Sequence, residues 1–315
     1  MSAAVPAGAE ARAGFKPRDV EELVDLYLHR PLAALLVRML LPLPITPNQV
    51  TVASGVVSVV AGIFMGLAAF GSRWLMAVGG AVQLLSVLLD CADGQLARLR
   101  GQCSVFGRLL DGIMDGFAVF AVFHGMAFFL LGEGYGYVPI WSIGWLAVLS
   151  FIWHAAQYDA EKNIYLSCAR PGFGLGGSTL LAVQDVERLR DELRGRGERL
   201  KAASMDLAVS WTRAQTKSLA PWRGELAPRS DAERALFRQI FRGPMRGWTF
   251  VGFGTHIFLL VAAALVATVE PRAIWAAWLL MAGPMNLWFA WLVWRRPRLR
   301  RRYAQELAAL RQAAG

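Results

Sequence analysis

Charged residues and cysteines are both scarce in this chain of 315 residues. Asp, Glu, Lys and Arg make up only 18% of it, while 56% is hydrophobic, a balance that ordinary soluble domains do not have. The three cysteines, Cys91, Cys103 and Cys168, form no CxxC pair. We therefore expect reduced packing residues, and neither a disulfide nor a cysteine metal site. The first 19 residues lack an apolar run, so no cleavable signal peptide is expected.

Long apolar runs account for much of the composition. About 20 residues of helix span the hydrocarbon core of a bilayer. Runs of that order predict an all-α, polytopic membrane protein. Its six transmembrane helices are expected near residues 48–70, 74–89, 105–131, 138–158, 248–269 and 273–294. The second and third are expected to extend beyond their apolar part.

The basic residues are distributed unevenly between the loops. With the N-terminus in the cytoplasm, the outer loops contain only Arg73 and Arg272 of the 33 Lys and Arg residues. This asymmetry predicts cytoplasmic termini and a multi-pass protein of the inner (cell) membrane. The net charge of +10 is then explained by topology and by contact with anionic lipid headgroups, so no nucleic-acid partner is expected.

Composition shifts divide the chain into five predicted parts. Pro31 interrupts an amphipathic segment that we expect to lie in the membrane interface. The predicted parts are an N-terminal segment with this interfacial helix (1–45), catalytic transmembrane helices 1–4 (46–160), a cytoplasmic helical insert (161–246), transmembrane helices 5–6 (247–294) and a basic cytoplasmic tail (295–315).

The insert contains a seven-residue apolar repeat. Val186, Leu193, Leu200 and Leu207 mark the repeat, which is typical of a helix that packs along one seam. The seam has three possible partners: another part of the insert, a second copy of the chain, or the membrane surface.

The segment from Asp90 to Asp115, DCADGQLARLRGQCSVFGRLLDGIMD, places four carboxylates at the inner ends of two apolar helices. Asp90 and Asp93 share one helical face, and Asp111 and Asp115 share a face of the next helix. A short turn between the helices would let these faces oppose each other. Unneutralised carboxylates would repel, whereas oxygen ligands suit Mg²⁺, Mn²⁺ or Ca²⁺. Four could hold two ions about 3.5–4 Å apart, as in phosphoryl-transfer sites.

Other residues of the segment suggest what such ions would meet. Gly94, Ala97 and Gly107 are small and would let a ligand approach the backbone. The Arg98 guanidinium can bind a phosphate through two hydrogen bonds. The residue types therefore predict a metal–nucleotide–phosphate site at a membrane surface.

The pattern D-x2-D-G-x2-A-R-x8-G-x3-D-x3-D, complete here from Asp90 to Asp115, resembles the signature of the CDP-alcohol phosphotransferases. The stretch TPNQVT, from Thr46 to Thr51, is similar to the family's segment before its first membrane helix. The resemblance covers residues 46–162. It implies a metal-dependent enzyme of phospholipid biosynthesis. An acceptor hydroxyl would attack the β-phosphorus of a CDP-alcohol and release CMP.

The resemblance also implies roles for individual residues and a homodimer. Asp90, Asp93 and Asp111 would bind two ions of Mg²⁺ or Mn²⁺. Asp115 would be the general base and would also touch the metal. The residues implied around the CDP moiety are Asn48, Thr51, Gly94, Ala97, Arg98 and Gly107.

Several alternatives stay open at this point. Intramembrane aspartates also occur in divalent-cation transporters, and a non-catalytic scaffold would release no CMP. The stripe of His154, Tyr158 and Lys162 indicates either ordinary interface anchoring or an acceptor pocket. His124 and His256 are expected to be packed, hydrogen-bonded histidines. The donor could be CDP-diacylglycerol with a polar acceptor, or a CDP-linked polar alcohol with a diacylglycerol-like acceptor. The segment DGQLARL is similar to that of several bacterial and archaeal lipid synthases, which favours CDP-diacylglycerol. Inositol phosphate, glycerol phosphate and serine are then possible acceptors.

Overall fold

The structure is a computed structural model. It describes residues 17–169, 183–199, 202–203, 205–206, 209–210, 212–213, 222 and 224–314. Helices dominate these residues, and no strand occurs among them, so the predicted all-α class is confirmed.

Ten helices organise the described chain, preceded by one π-helical turn at Asp25–His29. They are α1 (Arg30–Leu40), α2 (Pro47–Leu67), α3 (Trp74–Leu99), α4 (Val105–Gly132), α5 (Tyr137–Ala169), α6 (Val183–Gly195), α7 (Asp231–Trp248), α8 (Phe253–Ala267), α9 (Arg272–Ala282) and α10 (Pro284–Ala314).

Six helical stretches are long and apolar enough to cross a membrane, as the sequence predicts. Four of them are α2 to α5, and the others are the combined stretches Asp231–Ala267 and Arg272–Ala313. On α2, large apolar side chains at 52, 56, 59, 60, 63 and 67 are exposed. Their spacing of three and four residues forms the face that would contact lipid.

Local sequence signals fix where the helices begin and break. Thr46 caps α2 in a capping box: its hydroxyl accepts from Gln49 N, and the Gln49 side chain accepts from Thr46 N. The last span breaks at Gly283, between α9 and α10. There Asn286 Nδ2 donates to the carbonyls of Met281 and Ala282. The Asn286 side chain therefore bridges the break between α9 and α10.

The helix α2 packs against both α3 and α4. Glycines let α2 and α4 approach closely, because a Cβ added at Gly62 would lie 2.4 Å from the Ala121 carbonyl oxygen. A Cβ at Gly125 would likewise lie 2.3 Å from the Gly62 carbonyl oxygen. Small residues have this role in many membrane helix pairs. Close packing of α2 then determines what the residues at its first turn can touch.

The N-terminal segment is anchored in the bundle at one end and exposed at the other. Tyr158 Oη donates to the Val20 carbonyl at 2.5 Å, and Glu22 accepts from the backbone N–H groups of Gly254 and Thr255 at the start of α8. Further along, Leu35 and Met39 of α1 are exposed. That apolar face suits a membrane interface, and the interfacial position stays a prediction.

Part of the predicted insert packs on itself. Val186 and Leu193 of α6 lie in one buried cluster with Ala202, Met205 and Val209. The other two repeat positions, 200 and 207, lie outside the described residues. Because Val186 and Leu193 pack against other residues of the same chain, they do not support a seam with a second copy. The homodimer stays a prediction. The predicted boundary at residue 160 falls inside α5, which continues to Ala169.

Gly62→Ala tests the close contact between α2 and α4. The added methyl group would meet the Ala121 backbone at 2.4 Å, so we expect a loss of about 1–3 kcal/mol in stability, as for overpacked cores. Gly66→Ala is the matched control one turn along the same helix, where the nearest atom is 3.8 Å away. Thermal unfolding in detergent should show a lower Tm for Gly62→Ala only. Equal Tm values for the two variants would contradict the packing.

Candidate metal centre

The aspartates of the motif lie where α3 and α4 meet. The turn between these helices is only five residues long, 100–104, and Gly101 adopts a positive φ of 64° within it. Ser104 caps α4, because its hydroxyl accepts from Gly107 N at 2.9 Å. The tight turn places the end of α3 beside the start of α4, as the sequence predicts.

Three of the four carboxylates converge. Asp90 and Asp93 of α3 and Asp111 of α4 each offer an oxygen atom, and these oxygens lie within 4.8 Å of one another. Asp93 is buried, while Asp90 and Asp111 are half-buried. Asp115 lies one turn beyond Asp111 on α4 and does not belong to this group of described residues. Clustered carboxylate oxygens fit a hard divalent cation, which would offset their mutual repulsion.

A hydroxyl from α2 orients one of these carboxylates. Thr51 Oγ1 donates to Asp93 Oδ2 at 2.5 Å, and the Pro47 carbonyl lies 3.1 Å from the same hydroxyl. Both Thr51 and Asp93 are buried. Hydrogen bonds of this kind hold a carboxylate ligand in one orientation and raise metal affinity. The first turn of α2 is thus part of the site.

The small residues of the motif lie against its polar residues. A Cβ at Gly107 would lie 2.9 Å from Asn48 Oδ1, and a Cβ at Gly94 would lie 3.3 Å from an Arg98 guanidinium nitrogen. Ala97 is half-buried on α3, one turn after Asp93. The structure therefore groups residues from α2, α3 and α4 that are up to 63 positions apart, from Asn48 to Asp111.

The motif lies within a region that matches a known protein family. A profile of the CDP-alcohol phosphatidyltransferases matches residues 44–174, which include every residue of the site described above. Residues 44–174 are a CDP-alcohol phosphatidyltransferase domain. Because this is a family of membrane transferases and six helices are apolar enough to span, the chain is a multi-pass membrane protein.

Two known proteins are similar to part of this chain. The bifunctional IPC transferase and DIPP synthase of Aquifex aeolicus is 26% identical over 170 residues, which are 54% of this chain and 34% of that protein. The phosphatidylinositol phosphate synthase of Cutibacterium acnes is 31% identical over 137 residues, 44% of this chain and 63% of that protein. The chain thus covers about a third of the length of one relative and less than two thirds of the other.

The proposed acceptor residues lie on α5 of the phosphatidyltransferase domain, and each has a partner inside the protein. His154 is fully buried, with ring nitrogens 3.2 Å from His256 Nε2 and 3.1 Å from Asn286 Oδ1. Tyr158 binds the Val20 carbonyl, and Lys162 Nζ lies 2.6 Å from Asp159 Oδ1. Of these three residues, Lys162 has the most exposed partner, because the Asp159 side chain is 41% exposed.

Both apolar-span histidines are hydrogen-bonded as the sequence predicts. His256 is buried, with Nδ1 2.7 Å from the Gly252 carbonyl oxygen. His124 Nδ1 lies 2.8 Å from the Phe120 carbonyl oxygen. The two side chains therefore have the packing role expected of them.

Sequence reasoning missed two arginines that lie where the N-terminal segment meets the phosphatidyltransferase domain. Arg100 donates to the carbonyls of Leu40, Leu41, Leu43 and Ile45, and so holds the end of α1 and the loop into α2. Arg30 is buried beside Glu21 and within electrostatic range of Asp90. Nothing in the sequence separates these arginines from the basic residues that set topology.

Thr51→Val tests the role of α2 in the carboxylate cluster. It removes the donor to Asp93 at nearly constant volume, so we expect divalent-metal affinity to fall by about 10–100-fold, as for other outer hydrogen bonds to ligands. Ser58→Ala is the control: it removes another buried hydroxyl of α2, one that donates to Gln83 Oε1 at 2.6 Å. Mn²⁺ titration followed by electron paramagnetic resonance measures both. Unchanged Mn²⁺ affinity in Thr51→Val would contradict the assigned role.

Proposed function

We propose that this chain transfers a phosphatidyl group from CDP-diacylglycerol to a hydroxyl acceptor and releases CMP. One observation carries the proposal: the carboxylates of Asp90, Asp93 and Asp111 converge within a CDP-alcohol phosphatidyltransferase domain. In the reaction a bond forms between the acceptor oxygen and the β-phosphorus, and the bond from that phosphorus to the CMP oxygen breaks. The acceptor's proton goes to a base.

Asp115 is the proposed base. It follows Asp111 by one turn on the same face of α4, so it lies beside the carboxylate cluster without belonging to the convergent group. A carboxylate there can accept the proton of an acceptor hydroxyl as that oxygen approaches phosphorus. The cluster and Asp115 would then divide binding and proton transfer between them.

Asp90, Asp93 and Asp111 would hold the divalent cations, which we propose to be two Mg²⁺ or Mn²⁺ ions, with Asp115 also touching the second. When bound, these ions offset negative charge on the pyrophosphate and on the leaving CMP. Arg98, over Gly94, would bind a phosphate of the donor. Asn48, Thr51, Ala97 and Gly107 would surround the rest of the CDP moiety.

Inositol phosphate is the acceptor to test first. The name of the Cutibacterium acnes relative, phosphatidylinositol phosphate synthase, favours inositol phosphate over glycerol phosphate or serine. Lys162 is the member of the proposed acceptor pocket best suited to an anionic acceptor, because its ammonium group has a partly exposed partner. Purified protein with radiolabelled CDP-diacylglycerol and each acceptor, with or without Mg²⁺, tests donor and acceptor together.

Two substitutions separate metal binding from proton transfer. Asp93→Asn should abolish both metal binding and CMP release while the protein stays folded. Asp115→Asn should retain donor binding in calorimetry but lose about 10²–10⁴-fold in turnover, as expected when a general base is removed. Loss of donor binding in Asp115→Asn would make it chiefly a metal ligand. CMP release that persists in chelator-treated protein would refute the metal role, and metal uptake without any CMP release would favour a cation transporter.

We also propose that the protein lies in the cell (inner) membrane, with the site at the cytoplasmic face and both termini on that side. Anionic headgroups of the inner leaflet would meet the basic residues of α10. The chain contains a natural probe of this orientation. Cys103 is exposed in the turn between α3 and α4, whereas Cys91 and Cys168 are buried.

A membrane-impermeant maleimide should therefore label Cys103 in inside-out vesicles and leave it unlabelled in intact cells. Cys103→Ser, which keeps the size of the side chain, should abolish the labelling in inside-out vesicles. Labelling of the wild-type protein in intact cells would reverse the proposed orientation.

A further inference from the structure

A cavity of about 330 Å³ lies between the C-terminal parts of α5 and α7 and the middle of α10. This size is at the lower end of the roughly 300–1,000 Å³ typical of ligand pockets. Its apolar wall is mainly aromatic and includes Trp222, Phe237, Phe241 and Trp248. The cavity shares no residue with the aspartate cluster or with the residues proposed to bind CDP.

The charge at the cavity is predominantly positive. Arg295, Arg296 and Arg300 line it, together with one acidic residue, Glu161. Two positive charges therefore remain after Glu161 is paired. An uncharged ligand would leave this excess uncompensated, whereas an anionic group would complement it.

Arg296 is held in place at the cavity wall. Its Nε lies 3.0 Å from Glu161 Oε1, its Nη1 donates to Gln157 Oε1 at 3.0 Å, and its guanidinium carbon lies 4.4 Å from the centre of the Trp248 ring. Two of its nitrogens, Nε and Nη2, are buried and have no hydrogen-bond partner among the described residues, although Nε lies close to Glu161. A buried donor without an acceptor is costly, so a ligand that supplies an acceptor there is favoured.

The cavity lies at the level expected for lipid headgroups. In α10 the run of Trp288, Trp291 and Trp294 gives way directly to Arg295 and Arg296. Tryptophans followed by arginines mark the boundary between hydrocarbon and the inner headgroup region. A ligand at this depth is therefore expected to be a molecule of the inner leaflet.

We propose that this cavity binds one anionic phospholipid of the inner leaflet, outside the reaction site. Its phosphate accepts hydrogen bonds from Arg296, with Arg295 and Arg300 adding charge. The apolar part of the molecule packs on the aromatic wall. An inorganic phosphate would satisfy the arginines but would leave that wall exposed to water, which is why the lipid is favoured over the free anion.

Native mass spectrometry of the full chain in neutral detergent tests the site. The protein is stripped of lipid and titrated with phosphatidylglycerol, with phosphatidylcholine, and with inorganic phosphate. We expect one phosphatidylglycerol bound per chain, and about tenfold or weaker binding in Arg296→Gln, because a hydrogen bond to a charged group is lost. Arg298→Gln is the matched control. It removes the same charge from α10, but Arg298 stacks on Trp294 and does not line the cavity.

Two further variants keep the result interpretable. Leu299→Phe retains every charge and fills part of the cavity that Leu299 lines, so it should weaken phosphatidylglycerol binding even if Arg296→Gln does not fold. Asp93→Asn should leave this binding unchanged, because the lipid lies outside the aspartate site. Loss of binding in Asp93→Asn would overturn the proposal. Equal binding of phosphatidylcholine, equally tight binding of inorganic phosphate, or equal effects of Arg296→Gln and Arg298→Gln would overturn it too.

Discussion

Repulsion between carboxylates at the ends of apolar helices is the constraint on which the rest of this structure depends. An ionised aspartate inside a bilayer costs a few kcal/mol on insertion scales, and here three carboxylate oxygens lie within 4.8 Å of one another. Such a group is stable only where positive charge reaches it and where its geometry is imposed by packing. The short turn after Leu99 and the hydrogen bond from Thr51 impose that geometry.

The scaffold around the aspartates is built for close approach. Gly62 and Gly125 bring α2 and α4 into backbone contact. At the start of α2, Thr51 then lies within hydrogen-bond distance of Asp93, and Asn48 lies beside Gly107. Gly107 likewise lacks a side chain where the Asn48 side chain approaches the backbone of α4. Small residues thus have two roles, one in packing the membrane helices and one in shaping the proposed donor pocket.

Polar groups outside the reaction site are mostly paired within the protein. Glu22 caps α8, Arg100 holds the loop before α2, and His154, His256 and Asn286 join α5, α8 and α10 in one hydrogen-bonded chain. These contacts are consistent with the high cost of unsatisfied polar groups in a membrane. The Arg296 nitrogens at the cavity between α5, α7 and α10 are among the exceptions in the described part of the chain, and a charged lipid at that position would supply acceptors for them.

The sequence by itself determined the six apolar helices, the capped start of α2 and the family signature from Asp90 to Asp115, because hydropathy, capping and motif spacing act over short stretches. Tertiary structure alone decided that oxygen atoms of Asp90, Asp93 and Asp111 lie within 4.8 Å of one another. It also decided that His154 is sealed in the core, and that Val186 and Leu193 pack within the insert. These outcomes depend on how distant helices rotate and approach. Helical spacing fixes which residues share a face, but only packing between helices fixes what that face meets.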